Sequence, residues 1–194
     1  MDQAHNLRKR SIEHSLHKRK ALHLFISNAD DACIVERLIH SLSDYGYEAC
    51  GISTSAAKAH FRVKFQDQLL HSDQVKQLTT IRIDVLLYIQ TWTDSLIQTA
   101  DLPRLFFLSA NEDQLIKTYQ KIKQRPFLRT YVIGTGNPEE RRNQQVLENL
   151  KDTVKQYVQV DVVDLGWLER SREDFTDGIY ETTSLLIQDW LVTV

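Results

Sequence analysis

"ALHLFISNADDACIVERL" (residues 21–38) runs an apolar segment directly into two adjacent acids and then into a helical stripe, and its reading decides the fold. The segment is almost continuously apolar and ends at Ser27, the pattern of a strand covered on both faces, as in a parallel sheet. Beyond it, Ile34, Val35, Leu38, Ile39, Leu42 and Tyr45 recur at helical spacing, and Gly46 follows as a stop. Asp30 and Asp31 fall in the first turn of that helix, where acids complement the helix dipole. The competing reading of the pair is the start of a metal or phosphoryl site.

The same alternation continues along the chain. Strand signals recur at "YEACGIS" (47–53), "IDVLLYI" (83–89), "RLFFLS" (104–109), "RTYVIG" (129–134) and "YVQVDVVDL" (157–165). Helical patterns fill the gaps at 31–45, 55–78, 111–125, 137–156 and 172–191, and a short helix is expected at 95–100. Phe61, Phe65 and Leu69 carry the second of these at four-residue spacing, although "RVKF" also reads as a strand. Alternating strands and helices imply an α/β fold, a three-layer α/β/α sandwich on a mostly parallel five- to six-stranded sheet.

The chain has 194 residues, enough for one domain with a sizeable core. Its apolar segments have strand length, so no transmembrane span is expected, and the basic N-terminus lacks the apolar run of a secretory signal. Cys33 and Cys50 have neither metal nor redox spacing and are expected to be reduced, as in the cytoplasm. Charge divides the chain in two. Residues 1–20 carry Arg8, Lys9, Arg10, Lys18, Arg19 and Lys20 against Asp2 and Glu13, so residues 21–194 hold a net excess of acid within a total of −2. A basic arm (1–20) followed by a single domain (21–194) is expected, and such an arm suits weak contact with polyanions.

In parallel sheets ligands bind at the carboxyl ends of the strands. The candidates there are Asn28, Asp30, Asp31, Trp92, Ser109, Gly134, Gly136 and Asn137. "GTGNPEERR" (134–142) follows a strand with two glycines, but it lacks the lysine of a P-loop and the third glycine of a dinucleotide fingerprint. None of the seven histidines has ligand spacing, so neither metal nor cofactor is expected.

"DDACIVERLIHSLSDYGYEACGIST" (30–54), "LPRLFFLSAN" (102–111) and "TYVIGTGNPEERRNQQVLENL" (130–150) resemble successive parts of a response-regulator receiver domain. The receiver's phosphate-accepting aspartate would stand at or next to Ile89, where there is no carboxylate, and its fifth-strand lysine would fall near Gly134. The resemblance therefore implies a receiver without phosphorylation. "HLFISNADDACIVERLIHSLSDYGYEA" (23–49) with "VQVDVVDLGW" (158–167) and "EDFTDGIYETTSLLIQDWL" (173–191) also resembles a TIR domain. Some TIR domains cleave NAD with a glutamate in the helix after the third strand. Here "TWTDSLIQTADLP" (91–103) has none, leaving Asp94 as the nearest carboxylate and Glu112 a strand later. Asp94 also suits the cap of the 95–100 helix. The resulting expectation is a non-catalytic signalling module with a protein partner, a homodimer among the alternatives. A TIR-like NAD hydrolase or nucleotide-sensing domain is the competing reading.

Overall fold

The computed structural model describes residues 20–71, 83–94, 101–137, 139–168 and 178–192. The arm through residue 19 and the expected helix at 95–100 lie outside these residues. Among the described residues seven strands form one sheet: β1 (Lys20–Ile26), β2 (Ala49–Ser53), β3 (Leu70–His71), β4 (Val85–Thr91), β5 (Arg104–Leu108), β6 (Thr130–Thr135) and β7 (Val162–Leu168). Every pairing is parallel, and the order across the sheet is β3-β2-β4-β1-β5-β6-β7. β1 is thus central, with β4 on one side and β5 on the other.

Alternate residues of the strands feed two large cores, and Ile52, Ile83 and Leu86 form a third, smaller one. On one face Leu22, Leu24 and Ile26 meet Leu87, Ile89 and Phe107 beneath α1 (Ala29–Asp44) and α6 (Ile179–Leu186). Ile34, Val35, Leu38 and Leu42 of α1 are fully buried there, so the helical stripe seen in the sequence is its contact face. On the other face Phe25, Phe106, Leu108 and Val132 pack against Ile122 of α4 (Glu112–Gln124) and Val146, Leu150 and Val154 of α5 (Arg141–Val158). Each fully buried aliphatic or aromatic side chain contributes roughly 1.5–3 kcal/mol. Gly46 has φ 87°, the left-handed geometry that ends α1 at no steric cost.

The three-layer α/β/α sandwich with a parallel sheet stands as the sequence implied, with more strands than the five or six expected. The additional strand, β3, comes from 55–78, which is not one helix. Its described part holds α2 (Ser55–Lys58), α3 (Val63–Gln66) and β3. Phe61, Phe65 and Leu69 all reach the core, so their spacing recorded burial correctly. What breaks the helix is a tertiary latch. Glu36 of α1, only 1% exposed at its side chain, accepts from the backbone N–H of Arg62 at 3.3 Å and is paired with the Arg62 guanidinium. This holds Arg62 in an extended conformation before α3 (φ −61°, ψ 143°).

Two boundaries also move. α5 begins at Arg141 rather than 137 and continues through Val158, because the Leu150–Val154 stripe extends into the segment read as the last strand. Gln159 ends it with φ 61°, and β7 then starts at Val162. Of the last expected helix, the described part runs as α6 into a π-helical turn, Ile187–Leu191. Asp189 in that turn is clamped by the Arg129 guanidinium (2.5 Å) and the Tyr131 hydroxyl (2.8 Å).

Candidate functional site at the strand ends

The carboxyl ends of β1, β4 and β5 surround a cavity of about 410 Å³. α1 leaves β1 toward one face and α4 leaves β5 toward the other, so the cavity lies at the switch point where parallel α/β sheets open a crevice. Ser27 ties its walls together. Its Oγ accepts from Trp92 Nε1 at 2.6 Å and from Gln114 Nε2 at 3.3 Å. Gln114 is buried and saturated: Oε1 accepts from Ser109 N (3.1 Å) and Ser109 Oγ (2.7 Å), and Nε2 donates to the Phe107 carbonyl at 2.7 Å. The Trp92 ring rests on Phe106, with centroids 5.5 Å apart and planes 17° apart, and leans on Phe25.

Both helices that open onto this cavity have their leading amides satisfied from within. Asn28 Oδ1 accepts from Asp31 N at 2.9 Å, and Asp31 Oδ2 accepts from Ser27 N at 2.7 Å. Asn111 Oδ1 accepts from Asp113 N at 2.9 Å and Gln114 N at 3.4 Å. These amides would otherwise be the natural anchor for an anion. Asp31 is 2% exposed, and burial pushes its pKa up to about 6, with the neighbouring Asp30 adding to the rise against the Ser27 hydrogen bonds.

Asp94 stands beside the cavity. Its Oδ2 accepts from Thr54 Oγ1 at 2.6 Å and Thr91 N at 2.7 Å. Burial alone would raise its pKa, but the hydrogen bonds from Thr54 and Thr91 outweigh it and hold the carboxyl below its ordinary value.

A second ionisable group lies away from the cavity, between β1, β5 and α4. Arg104, 4% exposed, donates to the carbonyls of Lys121 and Arg125, the latter at 2.7 Å, closing the carboxyl end of α4. Burial and the charge of Arg125 lower its pKa to about 10. His23, 4% exposed, is lowered to about 4 by burial first, against the opposing interaction with the Gln90 side chain, and then by the charges of Arg104, Lys121 and Arg125.

Of the residues singled out by sequence, Asn28, Trp92 and Ser109 line the cavity. Asp31 lies buried behind the β1–α1 turn, and Asp30 sits in the same helical turn. Glu112 is exposed at the start of α4, and it is Asp113 that lines the cavity. Gly134 is elsewhere and serves packing, since a Cβ there would lie 2.3 Å from the Trp167 ring. Gly136 and Asn137 form a turn fastened to α5 by Asn143 Nδ2, which donates to the Asn137 carbonyl at 2.8 Å. Sequence reading passed over His60, Gln114 and Lys117, whereas Asn111 lies in the strand-end stretch it pointed to. Gln114 had a signal: Asn111 with Gln114 three residues on has capping-box spacing. His60 had none, because the 54–71 crossover brings it in. Among the described residues no group of three or more His, Cys, Asp or Glu side chains is placed to hold a metal ion. No helix among them is long and apolar enough to cross a membrane.

The chain is similar to MinD in the MinC:MinD cell division protein complex of Aquifex aeolicus, with TM-score 0.59 and 10% identity over 87% of this chain and 96% of that one. It is also similar to the signal recognition particle receptor FtsY of Elizabethkingia anophelis (TM-score 0.56, 11% identity, 93% of this chain and 70% of that one). A third similar structure is FlhF complexed with GTP/Mg²⁺ (TM-score 0.52, 14% identity, 86% and 73%). No protein-family model and no curated protein sequence matches the chain.

These likenesses overturn the receiver and TIR resemblances and the functions drawn from them, the signalling module of that descent and the NAD hydrolase or nucleotide sensor alike. The error has a physical source. A strand, an acidic first turn and an amphipathic helix open many parallel α/β folds, so the quoted motifs recorded local structure. The strand order separates these folds, and it is set by pairings between distant segments such as Lys20 with Val85.

Proposed function

We propose that the chain is a protein-binding member of the P-loop type of architecture in which the phosphate corner is filled by its own side chains. The observation that carries this is the β1–α1 connection. It consists of two residues, Ser27 and Asn28, and the Ser27 N–H is already given to the Asp31 carboxylate at 2.7 Å. A P-loop needs a longer glycine-rich connection whose free N–H groups and lysine cradle phosphates. Here a buried carboxylate stands at the entry to the helix and repels a phosphate. MinD, whose fold the chain shares, is solved in a complex with MinC, which supports protein contact as a use of this architecture.

The basic arm of residues 1–20, whose last residue Lys20 already opens β1, is a second contact in this reading, acting on polyanions through Arg8, Lys9, Arg10, Lys18 and Arg19 ahead of a single domain. A cytoplasmic location belongs to the same proposal and accords with Cys33 and Cys50 being free thiols.

The test is titration of the protein with MgATP and MgGTP by calorimetry and thermal melting. No saturable heat and no rise in Tm are expected. A ligand present at 100 times its Kd would add about 2.7 kcal/mol, well within detection. Saturable triphosphate binding by the unaltered chain would overturn the reading.

A further inference from the structure

We propose that the strand-end cavity binds an uncharged, hydroxyl-rich ring compound of the monosaccharide or small oligosaccharide class. The volume of about 410 Å³ is within the range of small-ligand sites and ample for one or two sugar rings. The lining is unusual for such a site in being mainly polar rather than apolar, which fits a ligand that is polar over most of its surface.

The chemistry of the walls narrows the class. Trp92 lines the cavity with its indole N–H committed to Ser27 and its ring braced by Phe106 and Phe25. It is therefore held in place as an apolar platform, the surface on which the C–H face of a sugar ring rests. Asn28, Thr93 and Asn111 add neutral hydroxyl and amide groups around it. Asp113 and Lys117, four residues apart on α4, bring one charge of each sign. A carboxylate accepts two hydrogen bonds from neighbouring hydroxyls and an ammonium donates to others, so the pair suits a polyol without favouring an ion of either sign.

Phosphorylated compounds are disfavoured by the features already described. The leading amides of α1 and α4 are taken by Asn28, Asp31 and Asn111, and Asp31 lies buried behind the turn. The sugar proposal rests on the cavity lining alone, so its failure would leave the nucleotide result above untouched.

The test titrates the full chain with ribose, glucose and maltose, and in parallel with ribose 5-phosphate and glucose 6-phosphate. Binding is followed by ligand-observed NMR and by intrinsic fluorescence, to which Trp92 contributes. At least one neutral sugar is expected to bind saturably, with its phosphate ester at least tenfold weaker. Trp92→Ala should weaken that binding at least tenfold. Asp113→Ala and Lys117→Met alter exposed side chains, so they keep the test decisive if Trp92→Ala fails to fold, and each should weaken binding severalfold. The proposal is overturned if no neutral sugar binds saturably, if a phosphate ester binds more tightly than its parent sugar, or if Asp113→Ala and Lys117→Met both bind as the unaltered chain does.

Discussion

Asp31 and His23 are buried to nearly the same extent on either side of the β1–α1 turn, yet their surroundings are opposite. The acid is met at both of its polar groups: its carboxylate takes the Ser27 backbone N–H, and its own N–H goes to the Asn28 side-chain Oδ1. The histidine faces the cations Arg104 of β5, Lys121 of α4 and Arg125 at the end of α4, with Gln90 as its one favourable polar neighbour among the described residues. Burial disfavours charge in both, so it raises the acid to about 6 and lowers the base to about 4. The lesson is that one fold stores two pH-dependent terms of opposite sign, and they nearly cancel.

The largest expected effect tests the basic side. Arg104→Ala removes the donors that satisfy the Lys121 and Arg125 carbonyls and leaves a hole beneath α4. It should cost about 3–4 kcal/mol in urea unfolding. A loss below about 1 kcal/mol would mean that water replaces the guanidinium there.

Next comes the cancellation itself. Asp31 has a raised folded pKa, so its contribution is full below its unfolded value near 4 and is lost as pH rises through about 6. His23 has a depressed folded pKa, so its contribution is full above 6.5 and is lost as pH falls through about 4. Each term amounts to about 3 kcal/mol, the shift converted at 1.36 kcal/mol per pKa unit. Stability should therefore change little between pH 4 and 6.5 on their account. Asp31→Asn should leave a curve that climbs with pH, and His23→Phe one that falls. Parallel curves for the three proteins would refute the pairing.

A smaller effect concerns the cavity wall. Gln114→Ala deletes the bonds that join α4 to Ser109, Phe107 and Ser27, and should cost about 2 kcal/mol with quenching or shift of Trp92 fluorescence as Ser27 is released. Smallest is Asp94→Ala. It is partly exposed and holds Thr54 to the end of β4, so about 1 kcal/mol is the expected loss. Its folded pKa is depressed, so this contribution should fade on acidification below the ordinary carboxylate range.

The layers of the fold were legible because burial leaves a periodic trace. Ile34, Val35, Leu38 and Leu42 announce the inner face of α1, and "LFFL" announces a strand covered on both sides. The short elements were not legible, since Arg62 is turned out of helix by Glu36, twenty-six residues away. The cavity was half legible. Asn28, Trp92 and Ser109 sit at strand ends that hydrophobic patterning locates, whereas His60 and Lys117 arrive through packing that leaves no local mark. Family resemblance failed for the same reason: its motifs were local, and the strand order is not.

The central position of β1 also governs how the chain must be made. β1 emerges early but pairs with β4, Lys20 opposite Val85, and with β5, His23 opposite Arg104. At roughly 5–20 residues per second of synthesis, its two edges stay open for several seconds before either neighbour exists. Through that interval "ALHLFI" is an apolar strand without a sheet, and the nascent chain is at its most adhesive. Closure then depends on distant segments finding one another, so folding is expected to be slow for a domain of this length and to draw on chaperones while β4 and β5 are still being synthesised.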